Sequence, residues 1–202
     1  MHNILFVPGC GKTAEEGYPK TLAALAANGF NIDAVNPPWE KQSFADELAY
    51  TSEEIARKLR PNTIVVAHSY GCVLALAGIV AASRPRGVIL ASPSVNCFEG
   101  WQDEQVGRPL INERYAEQSE TIQAYSLAAL TKQVRVKHRA AVLLGEAEAL
   151  QFPIIADLAK VAANNLGVEP SYASSAGHFI DHYQSYVDLV ANTANAFGNS
   201  IF

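Results

Sequence analysis

The stretch Thr63-Ile64-Val65-Val66-Ala67-His68-Ser69-Tyr70-Gly71-Cys72 constrains the fold of this chain more than any other. A β-branched run too short for a helix stops at a serine, and an almost wholly apolar helical stretch, Val73 to Ala82, follows at once. Ala67 stands two residues before Ser69 and Gly71 two after. Small residues on both sides of a serine at a strand-to-helix junction are what a nucleophile elbow requires. A side chain at either position would collide with the neighbouring strand or helix, while the serine Oγ is held out at the top of the sheet. The usual pattern is Gly-x-Ser-x-Gly, and Ala67 replaces its first glycine. The competing reading is a buried strand that meets a core helix at a small-residue turn. An oxyanion donor, an acid and a histidine following in the right order decide between the two.

The rest of the chain alternates strands and helices. Ile4 to Val7 is a short apolar run ending in Pro8-Gly9-Cys10-Gly11, as in a buried parallel strand feeding a tight loop. Thr13 caps a helix with Leu22, Leu25 and Ala26 on one face, stopped at Asn28-Gly29. Phe30 to Val35 is the next strand, followed by an amphipathic helix from Ser43 to Leu59 with Phe44, Leu48, Ile55 and Leu59 inward. Gly87 to Ala91 and Ala140 to Leu144 are further strands, Pro153 to Leu166 a helix, and Val168 to Ala173 a strand. A final helix from Phe179 to Phe197 carries Phe179, Tyr183, Tyr186, Val187, Val190, Ala194 and Phe197 at three-and-four spacing. This order predicts an α/β fold with a mostly parallel sheet of about six strands and helices on both faces. Its ligands bind beyond the carboxyl ends of the strands. Between Val95 and Val134 the alternation breaks off, with a polar helical stretch from Asn112 to Leu130.

Length and charge narrow the function. The 202 residues, 49% hydrophobic, suffice for one core, so a single domain over 1–202 is expected. A net charge of -5 with scattered Lys and Arg gives no basic face for nucleic acid. No apolar run is long enough for a bilayer span, so no membrane partner is expected. Three cysteines without metal-ligand spacing, and a first strand that follows Met1-His2-Asn3 without a leader, point to a cytoplasmic protein with reduced thiols. Neither a metal nor an organic cofactor is called for.

With the elbow, this order of elements resembles the α/β-hydrolase family over essentially the whole chain, trimmed of the two antiparallel strands that usually come first. The resemblance implies the following site. Pro8-Gly9 stands where many relatives carry His-Gly, so Cys10 offers one backbone oxyanion donor and Tyr70 the other. Each such donor is worth roughly 3 to 4 kcal/mol in the transition state. Gly177-His178-Phe179 matches the family's Gly-His-aromatic form and makes His178 the base, with His182 as the fallback. Relatives read Gly-x-x-Asp after the strand before it; here Gly145-Glu146-Ala147-Glu148 puts Glu148 at the acid's position ahead of Glu146. Ser69, Glu148, His178 is the order that this fold uses. His68 is expected to point away from the site, and His2 and His138 to be solvated.

The irregular span 95–134 falls where the family places a lid. Trp39, Phe98, Trp101, Phe152 and Phe179 are then candidates for an apolar acyl or alcohol pocket. A small lid favours a modest, uncharged ester, thioester or lactone. The first half of the chain looks most like small esterases and methylesterases, a scaffold shared by hydroxynitrile lyases. Two rival readings remain. Gly9-Cys10-Gly11-Lys12-Thr13 after a strand resembles a phosphate-binding P-loop, but Phe6 replaces its first glycine and no later strand ends in an aspartate for magnesium. A hydrolase-fold protein that binds its ligand without turnover is the other. The sequence does not specify an oligomeric state.

Overall fold

A computed structural model of the protein describes residues 2–39, 44–82, 85–94, 126–136 and 139–199. Six strands, β1 (Asn3–Val7), β2 (Asn31–Ala34), β3 (Thr63–His68), β4 (Gly87–Ala91), β5 (Ala140–Gly145) and β6 (Ser171–Ala173), form one parallel sheet in the order β2-β1-β3-β4-β5-β6. The inner strands are apolar through their middles, with polar residues only at ends such as Asn3, Thr63 and His68, because both faces are covered. Ile4, Phe6, Ile64, Val66, Ile89 and Leu143 face one core cluster, which includes Leu25 of α2 (Pro19–Ala27) and Val187, Val190 and Ala194 of α8 (Gln184–Asn199). Their alternates Leu5, Val7, Val65, Ala67, Val88, Leu90, Val142 and Leu144 face the other. That second cluster is roofed by α3 (Phe44–Lys58), α4 (Gly71–Ala81), α5 (Leu127–Gln133) and α7 (Pro153–Leu166).

Helix α4 lacks a polar face because every residue from Gly71 to Ile79 is buried, between the sheet and its neighbouring helices. After β1 the chain steps outward to β2, and β3 returns on the other side of β1. The strand order therefore reverses between β1 and β3. In open parallel sheets the crevice at such a point, beyond the strand carboxyl ends, is where ligands bind. The loop after β1 and Ser69 after β3 both open there.

Several elements differ from the sequence expectation, among them β6, which begins at Ser171 and not at Val168. The helix capped by Thr13 stops after one turn, α1 (Ala14–Gly17), and restarts as α2 at Pro19. A proline has no N–H to continue a helix but fits the first turn of a new one. The restart rotates the inward face, so Thr21 and Leu25 are buried while Ala26 is exposed. The final helix begins at Gln184, after a 3-10 turn at Ile180–His182. Phe179 and Tyr183 consequently stand 43% and 36% exposed instead of extending the buried face of α8. Finally, Leu127 and Leu130 of α5 are core residues, so the end of the span 95–134 belongs to the body of the fold. Residues 95–125, where the rest of the expected lid lies, are outside the described residues, as is the side chain of Phe44.

Candidate active site

Ser69 occupies the left-handed region at φ 53°, and its N–H donates to the Ala91 carbonyl at 2.9 Å. A non-glycine residue held there costs about 1 to 2 kcal/mol, which the surrounding packing sustains. Gly71 is fixed by space: a Cβ would lie 2.3 Å from the Pro8 carbonyl oxygen and 2.8 Å from that of Val7. Ala67, by contrast, lies fully buried in the apolar cluster beside Val7 and Leu90, where a methyl group packs well. Gly71→Ala is therefore expected to destabilise the fold by at least about 2 kcal/mol, because backbone must move to admit the methyl. A chemical-denaturation midpoint unchanged from wild type would contradict this packing.

His178 follows β6 in a loop tied to the start of α6 (Glu146–Gln151), whose Ala147 and Glu148 amides both donate to the Ala176 carbonyl, at 2.9 and 3.3 Å. Its Nε2 stands 3.0 Å from Ser69 Oγ and its Nδ1 2.5 Å from Glu148 Oε1. A carboxylate accepts only, so the ring proton sits on Nδ1, and Nε2 is left to accept from the serine hydroxyl. Glu148 itself is fully buried. A buried carboxylate is tolerated where donors replace its water, and three do so. Besides His178 Nδ1, Ser92 Oγ at 2.5 Å and the Gly145 N–H at 3.4 Å donate to Oε2. The last contact is one half of a capping box, so Glu148 stands on the first turn of α6 and not in a loop. Glu146 points elsewhere, exposed, and accepts from the Ser175 N–H at 3.0 Å.

Sequence reasoning missed the support behind Glu148. Ser92 Oγ lies 2.7 Å from the Tyr186 hydroxyl, which also reaches the Leu143 carbonyl at 3.0 Å. With the Ser92 proton committed to the carboxylate, the single Tyr186 hydroxyl proton is shared between Ser92 Oγ and the Leu143 carbonyl. The available signal was a serine ending an inner strand at the carboxyl edge of the sheet. Like Ser69, Ser92 has positive φ, 45°. Tyr186 was legible only as a buried position of α8.

The remaining candidates are placed unevenly. Cys10 lies in the loop between Gly9 and Gly11, and Tyr70 caps the N-terminus of α4 directly after Ser69. Trp39 is half-buried against Tyr70, ring centroids 5.9 Å apart, with its Nε1–H on the Lys12 carbonyl. Phe179 packs edge-on against the His178 imidazole at 5.4 Å. Phe152 is partly buried against the helical core. Phe98, Trp101 and His138 lie outside the described residues. His182 is exposed beside Phe179 and takes no part in the Ser69 contact. Two histidine expectations are corrected. His2 is half-buried with Nδ1 shielded, packed where α8 approaches it at Gly198. His68 does not point away from the site but lies 4.9 Å from the His178 ring. The P-loop reading also loses its geometry. The Gly9 N–H donates to Tyr18 Oη, the Lys12 N–H to the Gly9 carbonyl, and Thr13 Oγ1 caps Glu16, so these groups do not converge on a phosphate.

Burial sets the pH range over which this arrangement holds. Desolvation, with the His178 charge second, keeps His68 well below its ordinary value; desolvation also lowers His2. Below about pH 6.5 the unfolded chain binds protons there that the folded chain does not, so stability falls as pH falls. Desolvation pushes the Cys72 thiol and the Tyr186 phenol well up. Above about pH 8.5 the unfolded chain releases protons that the folded chain keeps, so stability falls again as pH rises. Melting temperature is thus expected to plateau between these limits; a Tm still rising through pH 9 to 10 would contradict it.

A model of the Alpha/beta hydrolase family matches residues 4–192, and the chain belongs to that family. In structure it is similar to the ydeN gene product of B. subtilis, with 18% identity, a TM-score of 0.71, and 99% of this chain covering 100% of that one. It is also similar to carboxyl esterase 2 from the mycorrhizal fungus Tuber melanosporum, at 10% identity and TM-score 0.75, covering 99% of this chain and 79% of that one. A hormone-sensitive lipase from a metagenome library matches at 12% identity and TM-score 0.75, over 99% and 78% of the two chains. No curated protein matches the chain in sequence. Among the described residues no helix is long and apolar enough to cross a membrane, and no group of three or more His, Cys, Asp or Glu side chains is placed to hold a metal ion.

Proposed function

We propose that the protein is a serine hydrolase that cleaves a small carboxylic ester, thioester or lactone through an acyl-enzyme on Ser69. The observation that carries this reading is the continuous line from Ser69 Oγ through His178 to Glu148, at 3.0 and 2.5 Å. His178 takes the Ser69 proton as Oγ attacks the substrate carbonyl, and returns it to the leaving alcohol or thiol. Glu148 holds the ring in the Nδ1–H form and stabilises the imidazolium. The amides of Cys10 and Tyr70 receive the oxyanion. Water, deprotonated by the same imidazole, then releases the acid.

Neighbours named as an esterase and a lipase support ester chemistry. Trp39 and Phe179, flanking Tyr70 and His178, supply apolar walls for a modest substrate. Cys72 is a fully buried free thiol, which fits a reducing, cytoplasmic setting. The test is a series of nitrophenyl esters from acetate to decanoate, with Ser69→Ala as the blank. Turnover is expected to be greatest for the short chains. A wild-type rate equal to the blank on every ester would end the proposal.

A further inference from the structure

The residue before the nucleophile makes two hydrogen bonds that span the site. His68 is 1% exposed; its Nε2 lies 2.8 Å from the His178 carbonyl oxygen and its Nδ1 2.7 Å from Tyr18 Oη. A carbonyl only accepts, so Nε2 carries a hydrogen. Burial keeps the ring neutral, so Nδ1 is bare and accepts the Tyr18 hydroxyl proton. Tyr18 Oη in turn accepts the Gly9 N–H at 2.9 Å. The result is a single directed run, Gly9 N–H to Tyr18 O–H to His68 Nδ1, then His68 Nε2–H to the His178 carbonyl, in which each link polarises the next.

Gly9 precedes Cys10, whose amide is the proposed oxyanion donor, and His178 is the proposed base. The oxyanion loop lies directly on the bridge: a Cβ on Gly9 would sit 2.9 Å from His68 Nδ1, 3.0 Å from Tyr18 Oη and 3.1 Å from Ser69 Cβ. Ring contacts hold the same parts, with Tyr18 5.4 Å from His68 and His68 4.9 Å from His178. We propose that His68 and Tyr18 are positioning residues that hold the oxyanion loop and the histidine loop in register across Ser69. This rests on the hydrolase reading above, because registration matters only if both loops meet the same reacting carbonyl. Misplacement by about an ångström costs on the order of 100-fold in such a site.

Tyr18→Phe tests it with least disturbance, since the ring keeps its contact with Phe6 at 4.8 Å and only the hydroxyl is lost. With nitrophenyl butyrate, kcat of the folded enzyme is expected to fall roughly 10- to 100-fold with KM within about threefold. The rate at which a fluorophosphonate labels Ser69 should fall in parallel. Val190→Ala, on α8 in the same core cluster, is the packing control, expected to lower Tm while leaving kcat unchanged. His68→Gln should reproduce the Tyr18→Phe loss, and the double variant should lose little more than the worse single, because both break one linkage. Nitrogen NMR of His68 should find the proton on Nε2. A kcat within twofold of wild type in Tyr18→Phe, losses that multiply independently, or a proton on Nδ1 would each overturn the bridge while the hydrolase reading stood. Wild-type protein that neither hydrolyses esters nor labels would sink both. Should Tyr18→Phe not fold, His68→Gln is read by the same criteria.

Discussion

A fluorophosphonate probe is expected to modify Ser69 with one equivalent per chain, and Ser69→Ala to lower ester turnover by about 10⁴- to 10⁶-fold. The size follows from what the substitution removes. On the proposed mechanism there is no acyl-enzyme without Oγ, and His178 would be left to activate water alone against a carbonyl that the remaining amides still polarise. The fold should be unaffected. Alanine accepts the strained backbone of position 69 no worse than serine, and the buried hydroxyl loses one hydrogen bond, to His178. Labelling is the sharper measurement because it requires no knowledge of the natural substrate. It demands a serine made nucleophilic by its neighbour and an oxyanion site for the phosphoryl oxygen. Folded wild-type protein that resisted the probe would favour a protein that binds its ligand without turnover.

Much of this was legible before any coordinates, for a physical reason. Strands buried on both faces must be apolar throughout, so β1, β3, β4 and β5 stand out as continuous runs. An elbow must be flanked by small residues, so Ser69 stands out at the end of one. Gly145 and Gly177-His178 mark the other two loops of the same edge. What the sequence hid were interactions between distant side chains with no local pattern. Tyr186 looks like any apolar position of α8, and nothing near residue 92 announces a partner 56 residues away at Glu148. His68 was expected to point away from the site. Alternation does send its side chain to the face opposite Ala67, but the loop carrying His178 folds across that face and receives it. The late start of α8 was hidden because Phe179 and Tyr183 keep helical spacing although the chain there forms a 3-10 turn.

Glu148→Gln is expected to lower kcat by about 10³- to 10⁴-fold, while Glu146→Gln stays within twofold of wild type. The two residues are chemically alike and two positions apart on the first turn of α6, so the contrast isolates geometry. A glutamine at 148 fits the same volume and can still accept from the Gly145 N–H and Ser92, so the fold should persist. What it cannot do is hold the imidazole proton on Nδ1 with a full negative charge. A neutral amide allows the other tautomer, in which Nε2 already carries a hydrogen and cannot take one from Ser69. Nor can it stabilise the imidazolium that each proton transfer creates. At 146 the side chain is exposed and serves the Ser175 N–H, which a glutamine oxygen accepts equally well. Phosphonate labelling of Glu148→Gln should slow together with kcat, since both need the same tautomer. Equal losses at 146 and 148 would mean the site is reading overall charge, and a loss confined to 146 would transfer the acid's role there.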